Sequence, residues 1–585
     1  MHLLGRRLFY TFIICISIFF NADHANGQIL SLKINGIQAV SDTTGNKQNW
    51  FASIAPPQGT NLSVVLGISS REGTYSFKNF IFDGHSIEYG QAISINNLSK
   101  KHTLQFTCST TSGNATDSTI SWGIYLTSLP LLTLDIDPEK PISKFVSAPA
   151  VFSIIDPQKR TDNAVTFTSN CFTHWRGATS SGFDKKNYAI ELVDSNGEEL
   201  EKNIMGIRSH DKWHLHALAI DYSRMRNQVC FDIWNEIDEL CSKDMIRNGT
   251  TGYYAELILN GKYNGIYFLS DKINRKLLGI KKLKEESDGQ LTLRGVLYKS
   301  SSPTANSARL LPDDNSTPTN ANDWLGYMLE YPDNYNEAKK WKPLADLMDF
   351  AGMVRSDTDY VADHLYDYFY EDNIITYPLF TLAFMLKDNC MHNTFLSNPN
   401  VQKDQRIWIT PWDMDGSFGR DGTGTDLFHL AADYRWAWWG TEPITTLFVY
   451  KKGDYFSRMR EKWMALRDTT FSVENVKKHI NFYVNQLTQS GAWAREYERW
   501  NGNPITLDAD LTTETNKMIS WYETNFKAMD RLLEVGSDGI VPIQAKQTKE
   551  STLYSMDGQQ LPHSSNQPAR HGIYIVDGKK VYIRK

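Results

Sequence analysis

Two aspartates, Asp413 and Asp415, come directly after the strand-like run Arg406–Trp412 and are followed at once by the glycines of "DGSFGRDG". An acid pair in such a place either holds a divalent cation or bonds the amides of a turn. The text before it narrows the choice. "TFLSNPN", Thr394–Asn400, reads as the hairpin partner of "RIWITPW", and immediately upstream "LKDNCMHN" closes a helical stretch carrying Asp388, Asn389 and Asn393. The order is therefore helix, aspartate, asparagine five residues later, β-hairpin, aspartate and glycine-bearing loop.

That order suits phosphoryl transfer for a physical reason. One carboxylate accepts the proton of an attacking hydroxyl, an asparagine on the same short loop holds a magnesium, and an aspartate beyond a hairpin holds the metals that bridge nucleotide phosphates. Asp388 takes the first role by spacing, Asn393 the second, and Asp413 with Asp415 the third. Such transfer also needs fixed positive charge on the phosphates. "HWRGATSSGFDKKNYAIEL", His174–Leu192, offers it in Lys185 and Lys186, which lead into a strand, with Arg176 in the turn before them. The glycines at 177 and 182 have the spacing of a Walker A loop, but Phe183 stands where that loop requires lysine, so a P-loop is excluded. Each piece has a plainer reading as turn or surface charge; it is the ordered set that points to chemistry.

The elements that must position these residues fall into blocks. Residues 1–27 have a basic start at Arg6 and Arg7, an apolar core from Leu8 to Phe20 and small residues before Gln28, which is the pattern of a signal peptide. Cys15 lacks a convincing lipobox, and no later segment is apolar enough to span a bilayer. A secreted or cell-surface (or periplasmic) protein is expected. Residues 28–128, rich in Ser, Thr, Asn and Gly with short alternating runs, predict a β-sandwich module for presentation, spacing or glycan contact.

From Leu129 to about Val535 strands alternate with amphipathic helices. The stripe Met225, Val229, Ile233, Ile237 and Leu240 predicts a helix over 222–240. Asn260-Gly261 predicts the turn of a hairpin over 255–273. Ser356 predicts the N-cap of a helix, followed by a second helix with Pro378 near its start. Residues 540–585 read as a small β tail, either an appendage or a sorting signal.

Composition excludes several classes. Net charge is −6 with no Lys/Arg cluster, so nucleic acid is not an expected partner. Five cysteines remain after the signal, too few and too scattered for a disulfide framework, and neither CxxC nor HExxH occurs.

The central region resembles the CotH kinase family. The blocks are "LPLLTLDID", "RGATSSGFDKKNYAIEL", "MGIRSHDKWHLHALAIDYSRMRNQV", "LNGKYNGIYFLSDKI", "LEYPD" with "WKPLADLMDF", "DNCMHNTFL" and "ITPWDMDGSFG", in the family's order. The tail resembles sorting tails of exported Bacteroidetes proteins. The resemblance implies an α+β, atypical protein-kinase-like domain that uses ATP with Mg2+ or Mn2+ on Ser/Thr of exported protein substrates. It implies Asp388 as catalytic carboxylate, Asn393 and Asp413 as metal ligands, and Lys186 or Lys185 as the phosphate contact. Arg176 and Arg226 fall in its blocks without an assigned role, and Glu236 is a candidate partner for the lysine. His392 and Asp271 depart from the pattern, where Lys and Glu are expected. Transfer of AMP, ligation of an amino acid, and a non-catalytic adhesin or scaffold on the same fold are the alternatives.

Overall fold

The computed structural model describes residues 23–25, 28–42, 48–56, 62–70, 75–110, 117–300, 302, 309–311, 317–389, 392–438 and 441–535, with four strands between 553 and 583. The hydrophobic core of the signal segment and Cys390 lie outside the described residues. The chain divides into two compact units, residues 1–533 and 534–585.

In the first unit, the strands between Asp23 and Thr127 form a five-stranded and a six-stranded sheet. Their inward residues, among them Leu32, Val64 and Ile68 from one sheet and Trp50, Phe106 and Trp122 from the other, share a single core. Alternation of apolar and polar residues along each strand produces this two-layer packing.

Leu131–Ile136 opens a closed barrel, continued by Ala148–Ile155, Thr166–Arg176, Asn187–Val193, Lys212–His216, Lys262–Asp271 and Gly252–Leu259. Leu134, Phe152, Ile190, Trp213 and Tyr267 fill it. Because side chains alternate, His174 and Arg176 emerge on the opposite face from Thr173 and Trp175, beside Ala189, Glu191, Lys212 and His214 in register. The Asn260-Gly261 turn forms as expected, with φ of 48° and 71° at its two residues, so both sit in the left-handed region that a two-residue hairpin demands.

A second sheet runs Asp323–Trp324, Tyr327–Tyr331, Val296–Ser300, Thr394–Asn398, Trp408–Pro411. The helix Glu371–Phe384 packs beside it, and buried Asn373 clips the edge strand by accepting from Ile409 N (2.6 Å) and donating to Ile409 O (2.9 Å). This is how a strand with one free edge keeps its backbone groups satisfied.

Three local expectations are corrected. The helix predicted over 222–240 spans only Arg226–Asn235, and it is buried nearly all round rather than on one stripe. The cap of Thr358–Tyr368 is Asp357, whose side chain accepts from Tyr360 N, not Ser356. Pro378 lies in mid-helix; the Ile374 carbonyl that loses its usual donor there accepts the Tyr455 hydroxyl instead, at 3.2 Å. In the second unit, Leu553–Tyr554, Gln560–Leu561, Gly572–Val576 and Lys579–Ile583 form one four-stranded sheet.

Candidate active site

The hairpin Thr394–Asn398/Trp408–Pro411 pairs Thr394 with Pro411, so the residues just outside it, Asn393 and Trp412, are neighbours across its open end. Trp412 N donates to Asn393 O at 3.0 Å. Asn389, buried in the turn Lys387–Asn389, donates from Nδ2 to Trp412 O (2.6 Å) and Asn393 O (3.3 Å). One asparagine side chain thus ties Asp388's turn to the strand that ends in Asp413. Asn393 and Asp413 both have positive φ, 48° and 56°, a conformation that Asn and Asp tolerate better than other residues with a Cβ.

The glycines after Asp415 have a packing role. A Cβ on Gly416 would lie 2.7 Å from Gly422 N, and one on Gly422 would lie 2.5 Å from Asp388 Oδ2. The loop therefore folds onto itself and then against the Asp388 carboxylate, which stays partly open. Met414 N is held by Asn227 Oδ1 at 3.0 Å.

A cavity of about 200 Å³ lies between the barrel's outer face and the second sheet, lined among others by Arg176, His214, Lys272, Lys299, Glu330 and Trp412. Arg176 lies over the Trp412 ring, 5.5 Å from its centroid, and Trp412 is followed by Asp413. Burial pulls the Arg176 guanidinium down to about 10, opposed by Asp413 and Glu330. Burial lowers Lys299 as well, with Arg176 adding to the effect. Glu330 would be raised by burial, but Lys272 (a 3.0 Å ion pair), Lys299 and Arg176 hold it below its ordinary value.

The acids behave differently. Asp413 is open to solvent yet ringed by protein, and burial raises its carboxyl; Arg176 and Lys299 oppose this while Asp388 adds to it. Asp415 is raised well above the carboxylate range, by burial first and then by Asp413, Asp221 and Asp388. Asp388, Asp413 and Asp415 do not close into a compact three-acid cluster. Among the described residues that arrangement belongs to Glu191, Glu199 and Asp211, where Lys212 already sits 3.2–3.8 Å from each.

The lysines chosen from sequence are placed elsewhere. Lys185 has no exposed side-chain surface; its ammonium donates to Ile266 O (2.7 Å) and Glu496 Oε1 (2.6 Å), and Arg224 shares that carboxylate at 2.9 Å. Lys186 donates to Ser181 O at 2.9 Å over the Trp175 ring and does not line the cavity. Glu236 bonds Asn475 and His479 rather than either lysine. Asp271 is fully buried between Arg208 Nε (2.9 Å), Arg247 (2.5 Å) and Thr251 N (3.1 Å), so its shorter side chain serves the fold. Arg176 alone of the three cations chosen from sequence reaches the cavity. Lys299, Lys272 and Glu330 were missed; Lys299 stands in the alternating run "VLYKS" and Glu330 in "LEYPD", but nothing in those runs says which face meets the aspartates.

The barrel wall thus turns Arg176 toward the end of the hairpin that leads into Asp413. The CotH kinase protein family model matches residues 173–529, more than half of the chain, and the chain belongs to that family. No curated protein matches it. Among solved structures it is similar to a Bacteroides ovatus mixed-linkage glucan utilization locus SGBP-B in complex with mixed-linkage heptasaccharide. The identity is 12%, over 31% of this chain and 46% of that one, with a TM-score of 0.11. The chain thus spans less than half the length of that structure. No described helix is long and apolar enough to cross a membrane.

Proposed function

We propose that this protein is an exported atypical protein kinase that transfers the terminal phosphoryl group of ATP to a Ser or Thr hydroxyl of secreted or surface proteins. Residues 1–27 act as its signal peptide and 540–585 as its sorting tail. The observation that carries the reading is a cavity lined by Arg176 from the barrel and Lys299 from the second sheet and bounded by Trp412, next to Asp413, whose carboxyl both cations act on.

The donor set fits a hard divalent cation. Asp413 and Asp415 offer carboxylate oxygens and Asn393 an amide oxygen, with no thiolate among them, and both acids are in surroundings that disfavour their charge until a cation offsets it. Bound Mg2+ or Mn2+ supplies charge neutralisation on the phosphates. Arg176 and Lys299 orient the polyphosphate and offset its negative charge in a site where burial strengthens electrostatic effects. Asp388 accepts the proton of the attacking hydroxyl as its oxygen bonds to phosphorus, and the bond to the departing ADP oxygen breaks. Asn389 and Gly422 keep Asp388 aligned with Asp413.

The test is intact-mass spectrometry of candidate exported proteins after incubation with the enzyme, ATP and Mg2+ or Mn2+, beside the Asp413→Ala variant. A phosphate added only by the unaltered protein supports the reading. An AMP-sized or amino-acid-sized addition keeps the site and replaces the reaction, whereas no addition together with no nucleotide binding rejects catalysis.

A further inference from the structure

The loop that carries Asp413 and Asp415 is gripped from behind by charges distant in sequence. Arg226, at the start of the helix Arg226–Asn235, donates from Nε to Ser417 O (3.1 Å) in that loop and from NH1 to Asp221 Oδ1 (2.7 Å). Its NH2 reaches Glu514 Oε1 at 2.5 Å. Arg420, further along the loop, binds the same Glu514 through both forks, Nε to Oε1 at 2.7 Å and NH2 to Oε2 at 2.9 Å. It also donates to Gly424 O at 2.7 Å and lies 3.9 Å from the centroid of the Tyr222 ring. Asp221, Arg226, Arg420 and Glu514 are all buried, two acids facing two cations, with exposed Asp426 3.0 Å from Arg420 and Lys517 3.7 Å from Glu514 at the rim.

Glu514 lies in the first turn of the long helix Leu511–Leu532, where the helix dipole favours a carboxylate. It is the only described side chain that takes hydrogen bonds from both arginines. The grip extends to the candidate base, because the loop segment between Ser417 and Gly424 includes Gly422, the residue packed against Asp388.

We propose that Glu514 is the positioning residue of the site, clamping Arg226 and Arg420 so that Ser417–Gly424 is held in the one arrangement that aims Asp415 and Asp388 together. The metal-binding half of this inference rests on the kinase reading above; the clamp itself does not. Bidentate pairing explains why a carboxylate is needed, since Gln can accept at only one end and leaves the second fork without an acceptor. Groups that orient metal ligands typically change metal affinity about 10–100-fold when removed.

The experiment compares the full chain with Glu514→Gln and Glu514→Asp by two readouts, hydrogen exchange of residues 413–430 and titration with Mn2+ alone. Expected are faster exchange in the loop and Mn2+ affinity weakened about tenfold or more in Glu514→Gln, with most of both recovered in Glu514→Asp and near-native circular dichroism in each. Unchanged loop exchange in Glu514→Gln overturns the clamp. Loosened exchange with unchanged Mn2+ affinity overturns the positioning role and leaves a structural one. A parent protein that binds no Mn2+ overturns the positioning role together with the metal-site reading, while the exchange data still decide the clamp. If Glu514→Gln does not fold, Arg420→Lys, which keeps the charge and loses the fork, is read in its place with the same outcomes.

Discussion

Two charge groups flank the barrel, one sealed around Glu496 and one around Asp413 and Asp415 that reaches solvent. Around Glu496, both carboxylate oxygens are taken by the chain itself: Lys185 and Arg224 share one and Ile266 N donates to the other at 2.7 Å, although two cations face one acid and burial pulls Lys185 down to about 7. Around Asp413 and Asp415 the balance is left open, and both carboxyls are pushed upward because burial and neighbouring acids outweigh Arg176 and Lys299. On the proposed function, charges whose polar atoms are bonded by their own chain support the fold, whereas acids left without such partners at an open site take a ligand. Lys185 and Arg176 stand only nine positions apart, yet they fall on opposite sides of that division.

Several substitutions would break or sharpen the contrast. Asp413→Ala is expected to reduce phosphoryl transfer by about 10³-fold or more, as removal of a central electrostatic group does, with no loss of thermal stability; a fall in melting temperature would move Asp413 to the structural side. Lys185→Met should do the opposite. It leaves Glu496 paired with Arg224 but takes away the buried donor to Ile266 O and Glu496, costing ~1–3 kcal/mol, read as a lower denaturation midpoint at unchanged metal affinity. A variant as stable as the parent but inactive would return Lys185 to the site.

Gly422→Ala places a methyl group 2.5 Å from Asp388 Oδ2. A displacement of that kind is expected to lower turnover roughly 100-fold, with KM for ATP little changed, since the cavity lining is untouched. Equal activity would show that Asp388 has room to move and is not held for proton transfer.

The smallest effect is on pH. The folded-state carboxyls of Asp413 and Asp415 lie above the unfolded value of about 3.9. Between the two values the folded protein retains protons that the unfolded chain has released, so stability falls as pH rises through that window. The metal-free protein should therefore lose a few degrees of melting temperature on going upward from about pH 4, and Asp415→Asn should flatten the dependence. Added Mn2+ should offset the loss increasingly at higher pH, because it competes with protons for the same oxygens. A melting temperature that rises through this range in the metal-free protein, after correction with Asp415→Asn, would contradict the deficit assigned to the pair.

Much of the hairpin logic could be read directly. Asn260-Gly261 can adopt the left-handed turn cheaply, and "TFLSNPN" with "RIWITPW" pair as the two adjacent strand-like runs suggest. The aspartates and Asn393 could be proposed from sequence because they lie on one continuous stretch, where spacing in sequence is close to spacing in space. Cap and proline positions were harder. Ser356 and Asp357 are adjacent and equally suited to cap a helix, and Pro378 is tolerated in mid-helix only because Tyr455, far along the chain, serves the carbonyl it frees.

The linear order of residues by itself therefore determined the acidic half of the proposed site, the hairpin that carries it and the mixed strand and helix content of the chain. Which cations face those acids was decided by the tertiary structure. Barrel closure turns Arg176 outward and seals Lys185 against Glu496. The second sheet carries Lys299 beside Phe395, and Glu514 reaches the loop after Asp415 from nearly a hundred residues away. The physical reason is range: turn geometry and alternation are set by neighbours a few residues apart, whereas charge pairing depends on through-space distance and burial, which exist only once the chain has closed on itself.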